Sequence, residues 1–152
     1  MLKSLQMLIK LELPEIMIAS QVGIMRQLED IKKDKKSFSG EKKEGAWQRH
    51  IEGALAECAL AKHLNVYWNK KPWPAPDVGE VEVRSNAYPN ADLRIEPKDP
   101  DNRKFYLLTG LNGTYTIRGW MYAGDAKQKK WYKTYDLGRE KKYFVPQEFL
   151  ND

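Results

Sequence analysis

The residues most able to do chemistry lie in Asp77-Val-Gly-Glu-Val-Glu-Val-Arg84. Asp77 precedes Glu82 by five positions, and Arg84 follows two later. Side chains alternate along a strand, so Glu82 and Arg84 point to one face and Val81 and Val83 to the other. Two carboxylates and a cation at one sheet edge form an arrangement that can hold a divalent metal against a phosphodiester. Hydrolysis of that bond needs a metal to polarise the phosphate, a water made nucleophilic, and positive charge for the transition state. Magnesium takes hard oxygen ligands, typically one or two carboxylates with several waters retained. Asp77 and Glu82 supply such a pair, with Val81 and Val83 anchoring the strand. An exposed ion pair on a strand surface would explain Glu82-x-Arg84 equally simply.

A third carboxylate precedes them. Residues 46–64 read as a helix rich in alanine and apolar on most sides, with Asn65 as its C-cap. At 100° per residue Glu57 shares a stripe with His50, Gly53, Ala54, Leu60, Ala61 and Leu64. A carboxylate among small residues on a buried helix is costly unless something pairs with it. Small neighbours also leave room for a sheet edge or a metal, so Glu57 could add a third oxygen. His50 is a candidate helper, or simply a hydrogen-bonded side chain. Glu52 and His63 fall near the opposite side and are expected at the surface.

The elements that must position these groups follow from periodicity. Residues 7–13 read as a short strand, ended by Pro14, which suits the first turn of a helix. Ile18, Ile24, Met25, Leu28 and Ile31 predict a helix over roughly residues 15–33 with those residues on its buried face. Lys32, Lys33, Lys35 and Lys36 suit its C-terminus, and Gly40 and Gly45 mark a loop over 37–45. The stretch 66–76, with Trp68, Pro72, Trp73, Pro74 and Pro76, reads as an irregular loop. Val81–Ser85, Ala91–Ile95, Phe105–Thr109 and Tyr115–Trp120 predict a meander of three or four strands. Asp92 and Arg94 repeat the acid-x-cation pattern and read as a surface ion pair. A short helix over 126–132 carries Lys127, Lys129 and Lys130, which could track a nucleic-acid backbone or form a solvated face. A last extended piece covers Tyr143–Val145. Helices followed by a sheet predict an α+β fold.

Composition sets the bounds. The 152 residues fit one domain, 1–152, with 41% hydrophobic and 31% charged residues and a net charge of +5. That modest basic bias suits a polyanionic partner without requiring one. Five Trp and eight Tyr serve a core first and base stacking second. The one cysteine, Cys58, sits in an apolar run and reads as a small core residue; no internal disulfide is possible, which suits a reducing compartment. No run reaches the roughly 18 apolar residues of a membrane span. The leader-like start lacks a clean apolar stretch, so a cytoplasmic protein without a signal peptide is expected.

The order Glu57 … Asp77 … Glu82-Val-Arg84 resembles the PD-(D/E)XK, or restriction-endonuclease-like, nuclease superfamily, in which a helix glutamate precedes a strand Asp and an (Asp/Glu)-x-Lys. Gly53-Ala-Leu-Ala-Glu-Cys-Ala-Leu-Ala61 is similar to that family's first core helix. Most of the chain resembles small phage-encoded members: a leucine-rich start, an amphipathic helix, His50-x-Glu-Gly53, Asp77-Val-Gly before Glu82-Val-Arg84, and Gly119-Trp120 followed by Gly124-Asp-Ala126. The resemblance implies a central mixed sheet of about four to five strands, flanked by two main N-terminal helices and a short later one. It implies a Mg2+-dependent (or Mn2+-dependent) nuclease acting on nucleic acid, DNA foremost, in the host cytoplasm if the chain is phage-encoded. Asp77 and Glu82 would be metal ligands, Glu57 a further ligand or water-organiser, and Arg84 the transition-state cation. Arg84 stands where the family has lysine. Arginine is a planar fork that keeps its proton and suits a phosphate clamp better than proton transfer. Three outcomes stay open: metal-driven activation of the water, help from His50, or a fold that binds nucleic acid or serves phage assembly without cleaving. A protein-interaction module using the aromatic surface is a further alternative.

Overall fold

The computed structural model describes residues 6–33, 45–72 and 75–152. The loop read over 37–45, the lysines at 35 and 36, and Trp73 and Pro74 therefore lie, apart from Gly45, outside the described residues. The chain is α+β. Strand β1 (Met7–Lys10) leads into helix α1 (Leu13–Lys32), followed by α2 (Ala46–Leu64). Strands β2 (Val81–Asn86), β3 (Leu93–Ile95), β4 (Lys104–Leu111) and β5 (Thr114–Tyr122) come next, then the one-turn helix α3 (Ala123–Ala126), β6 (Tyr132–Lys133) and β7 (Lys142–Val145).

Local sequence explains the boundaries. Pro14 sits in the first turn of α1, and the Glu12 backbone N–H donates to the Glu15 carboxylate at 2.7 Å. Asn65 ends α2 in the left-handed conformation, φ 55°, which asparagine tolerates better than most residues. β4 and β5 are joined by Asn112-Gly113, both at positive φ, as a two-residue hairpin turn requires.

The four-stranded sheet is mixed, in the order β1-β5-β4-β2. β2 pairs with β4 in parallel, Glu82 opposite Phe105 and Arg84 opposite Leu107, while β5 is antiparallel to both β4 and β1. The expected meander is therefore wrong in connection: β3 leaves this sheet and joins β7 and β6 in a second, three-stranded one. The lysine-bearing helix expected over 126–132 is also corrected. The chain forms α3 and then a single 3-10 turn at Lys129–Trp131.

Two apolar clusters lie on opposite faces of the mixed sheet. Ala54, Leu55, Leu60, Val78, Leu108 and Tyr115 join the helices to one face. Leu93, Phe105, Leu107, Met121, Trp131 and Val145 join the second sheet to the other. Leu107 and Leu108 serve different clusters by the ordinary alternation of β4, and an irregularity in the β4–β5 pairing there, which leaves Arg118 of β5 without a partner opposite, lets Ile117 and Met121, four residues apart, serve different clusters as well.

The largest departure from expectation is the orientation of α1. Ala19, Val22, Gly23 and Gln27 are buried, whereas Ile18, Ile24, Met25, Leu28 and Ile31 are exposed. Small residues decide this. A Cβ on Gly23 would lie 2.5 Å from the Ile51 Cα and 2.7 Å from the His50 carbonyl oxygen. The backbones of α1 and α2 therefore approach closely at Gly23, and a bulkier residue cannot occupy that position. Gly23→Ala should lower stability despite a helix-propensity gain of up to ~1 kcal/mol, because overpacking costs about 1–3 kcal/mol. Urea unfolding measures the balance; an unchanged or raised midpoint would contradict the close crossing.

Candidate active site

Glu82 and Arg84 share the face of β2 that looks toward the second sheet, as their alternation predicts, while Val81 and Val83 pack toward the helices. Glu82 is 1% exposed, and its Oε1 accepts from the Arg103 Nη1 at 2.8 Å. Arg84 does not point freely into solvent. Its Nη2 donates to Asp99 Oδ2 at 2.8 Å, its Nε to the Arg94 carbonyl at 3.3 Å, and its guanidinium lies over the Phe105 ring.

Asp77 sits in the turn that enters β2, where Val78 and Val81 pair across Gly79 and Glu80. Its Oδ2 accepts from the Val83 N–H at 2.9 Å. Burial, then a hydrogen bond and the charge of the Glu82 carboxyl, push the Asp77 pKa up to about 7, against the pull of the Val83 N–H and Arg84. Asp77 and Glu82 are thus adjacent, partly desolvated carboxyls. That is the pair the sequence nominated.

Glu57 lies near enough to Asp77 to feel its charge, but its carboxylate is already occupied. Arg26 of α1 clamps it with two hydrogen bonds, 2.7 Å and 3.1 Å, and the Trp68 indole N–H donates a third at 3.2 Å. Burial raises the Glu57 pKa even so; the arginine and the indole lower it without fully offsetting the desolvation. The pair still favours the guanidinium, whose own pKa rises through Glu57 despite burial. Glu57, nominated as a third oxygen donor, is a partner in a buried ion pair with Arg26.

The other nominated groups separate from the site. His50 Nε2 is 3.0 Å from Asp30 Oδ2, so it faces α1 rather than Glu57. Glu52, expected at the surface, is half-buried and accepts from the Tyr115 hydroxyl and the Asn112 N–H. Lys127 donates to the Asp99 carbonyl and to Asp101, both at 2.6 Å, and so braces a loop rather than a helix face. Lys130 lies over the Trp131 and Phe149 rings, and Lys129 is exposed. Asp92 accepts from the Tyr135 hydroxyl at 3.0 Å.

Four residues that the sequence reading did not single out complete the site: Arg26, Trp68, Asp99 and Arg103. Arg26 carried a signal. It falls on the stripe of Ala19, Val22 and Gly23, where a cation needs a buried anion. Asp99 and Arg103 come from a charged loop, and nothing in their spacing distinguishes them.

Among the described residues, no group of three or more His, Cys, Asp or Glu side chains is arranged to hold a metal. Two hard-oxygen donors, Asp77 and Glu82, remain suited to magnesium, which accepts that few protein ligands. A cleft of about 410 Å3 is lined by Arg84, Asn86, Tyr88, Arg94, Tyr135 and Phe144, among others; Arg84 belongs to it, whereas Asp77 and Glu82 do not line it. No helix of the described residues is long and apolar enough to cross a membrane. No family model matches the chain, and neither does any curated protein or solved structure.

Two expectations follow. The folded chain holds the Asp77 proton up to about pH 7, whereas an unfolded chain releases it near 3.8. This contribution to stability is full below the unfolded value and is lost as pH rises through 7, by a difference on the order of 4 kcal/mol at most. Chemical denaturation between pH 5 and 8 should therefore show wild type losing stability relative to Asp77→Asn as pH rises; parallel profiles would refute the assignment. Arg26→Met should cost about 3–5 kcal/mol by stranding Glu57, and adding Glu57→Leu should recover much of that loss. The same denaturation midpoints report both, and a harmless single variant would contradict the clamp.

Proposed function

We propose that the chain is a divalent-metal-dependent nuclease with a restriction-endonuclease-like core, hydrolysing phosphodiester bonds of nucleic acid, DNA foremost. The observation that carries this reading is the adjacency of the half-buried Asp77 carboxyl and the buried Glu82 carboxyl, at the mouth of β2 and beside Arg84. Two carboxyls forced together out of water resist joint ionisation, and a divalent cation relieves that repulsion.

Asp77 and Glu82 would hold Mg2+, with Mn2+ as a substitute; when bound there the metal supplies Lewis acidity toward the phosphate and the attacking water. The remaining work falls to the chain's own groups. The Val83 N–H fixes the Asp77 carboxylate, and Arg103 fixes that of Glu82. Arg84, immobilised by Asp99, the Arg94 carbonyl and the Phe105 ring, offers a charge that needs no reorganisation as a phosphate approaches. Tyr88 and Tyr135 at the adjoining cleft suit stacking on a flanking base.

A second reading has its own observation. Glu57, Glu82 and Arg84 each already hold an opposite charge, from Arg26, Arg103 and Asp99. Such internal neutralisation suits a non-cleaving nucleic-acid-binding or phage assembly protein.

One experiment separates the two. The nuclease reading expects magnesium or manganese to raise the melting temperature at pH 8, to do so far less at pH 6 where Asp77 keeps its proton, and to support DNA cleavage. Asp77→Ala should abolish both the metal-induced shift and at least 99% of cleavage, about the 10²-fold that loss of a key electrostatic group costs. DNA binding without metal response or turnover, unchanged in Asp77→Ala, would establish the second reading instead.

A further inference from the structure

The outward face of α1 carries Leu13, Met17, Ile18, Ile24, Met25, Leu28 and Ile31, all exposed, with Leu13 at 71% and Ile31 at 55%. The opposite face already packs on α2 through Ala19, Val22 and Gly23. A helix apolar on both faces is one that belongs between two layers, yet α1 is the outer layer of this chain. The outward residues are ordered. Met17, Ile24 and Ile31 recur every seven positions, Gln21 and Leu28 do so between them, and Ile18 and Met25 flank the row. That is a heptad seam with one polar residue at a core position, the pattern by which helix pairs fix their register and partner number.

We infer that α1 is the dimerisation helix of this protein, pairing antiparallel with α1 of a second copy across this seam. Area, charge and chemistry on the helix favour a second copy over other occupants. The seven apolar side chains expose on the order of 100 Å2 each, or roughly 700 Å2 per chain, which falls in the range of one side of a standard interface. α1 spans about 30 Å, enough for a complete helix-pair contact. An antiparallel arrangement centred between Gln21 and Ile24 sets Glu12 of one helix level with Lys33 of the other, while Glu15 stays with Lys62 of its own chain. The seam itself is uncharged apart from Lys32 at its end, so two copies meet without like-charge repulsion. Gln21 lies near the two-fold axis, where an amide can both donate to and accept from its counterpart. An anionic membrane surface or a nucleic acid would require an excess of cations flanking the seam, whereas Lys32 and Lys33 are offset by Glu29 and Asp30 and Arg26 is committed to Glu57.

Sedimentation equilibrium on the full chain, without nucleic acid, should give twice the chain mass at micromolar concentrations. Ile24→Glu combined with Leu28→Glu should weaken the dimer on the order of a hundredfold while leaving the far-UV circular dichroism unchanged, because neither side chain serves the chain's own core. In a Cys58→Ala background, Gln21→Cys should form an intermolecular disulfide on oxidation. Ile31→Cys should not, since the antiparallel arrangement separates its two copies by about 25 Å. A wild-type monomer overturns the proposal, including one that binds vesicles of anionic phospholipid, and so does a dimer indifferent to the double substitution. Cross-linking through Ile31→Cys overturns the antiparallel pairing.

Discussion

The close backbone approach between the two long helices, at Gly23 against Ile51, governs much of what the rest of the molecule can be. Helices meeting through glycine and alanine bury little apolar side chain, so their contact must be held by something else. Arg26 supplies it, three residues along, by reaching Glu57 on the facing helix. A lysine there could not reproduce the two-pronged geometry. The same approach fixes the rotation of α1 and turns its large side chains away from the core. Glu57 is held by Arg26 for the same reason that the outer helix is unusually apolar.

The site is a set of carboxylates held at low dielectric by arginines of remote origin. Glu57 meets Arg26 from the preceding helix, Glu82 meets Arg103 from the loop before β4, and Asp99 meets Arg84. Asp77 alone takes its support from a backbone N–H and a neighbouring acid, and it is the group whose proton affinity rises to about 7. Burying charge in pairs is neither strongly stabilising nor easily undone, since removal of one partner strands the other. The arrangement therefore constrains geometry more than it contributes stability.

Elements with strong local signals were legible from sequence. α2 was read with its ends at Ala46 and Leu64 because alanine periodicity and the Asn65 cap agree. β2, β4 and β5 were legible because β-branched and aromatic residues alternate and Asn112-Gly113 marks the turn. The face shared by Glu82 and Arg84 followed from the period of a strand. Partners at long range were not legible. Nothing local sends β3 to a second sheet or sets β2 parallel to β4, because those choices depend on how two apolar clusters divide the chain. The face of α1 was misread because burial was assigned to the largest apolar residues, whereas close packing selected the smallest.

The parallel pairing of β2 with β4 also bears on the order of assembly. The hairpin of β4 and β5 closes over two residues and the β2 turn over two, so both can form from local chain alone. Joining Val81 to Lys104 requires the intervening segment, with β3, to fold back as a loop, and the entropy of that closure is spent before any ladder bond returns it. Arg103 reaches Glu82 only when that closure is complete, adjoining the first residue of β4. The acidic pair can thus meet in a local turn, but its burial and the Arg103 clamp wait on the slowest kind of contact in the molecule.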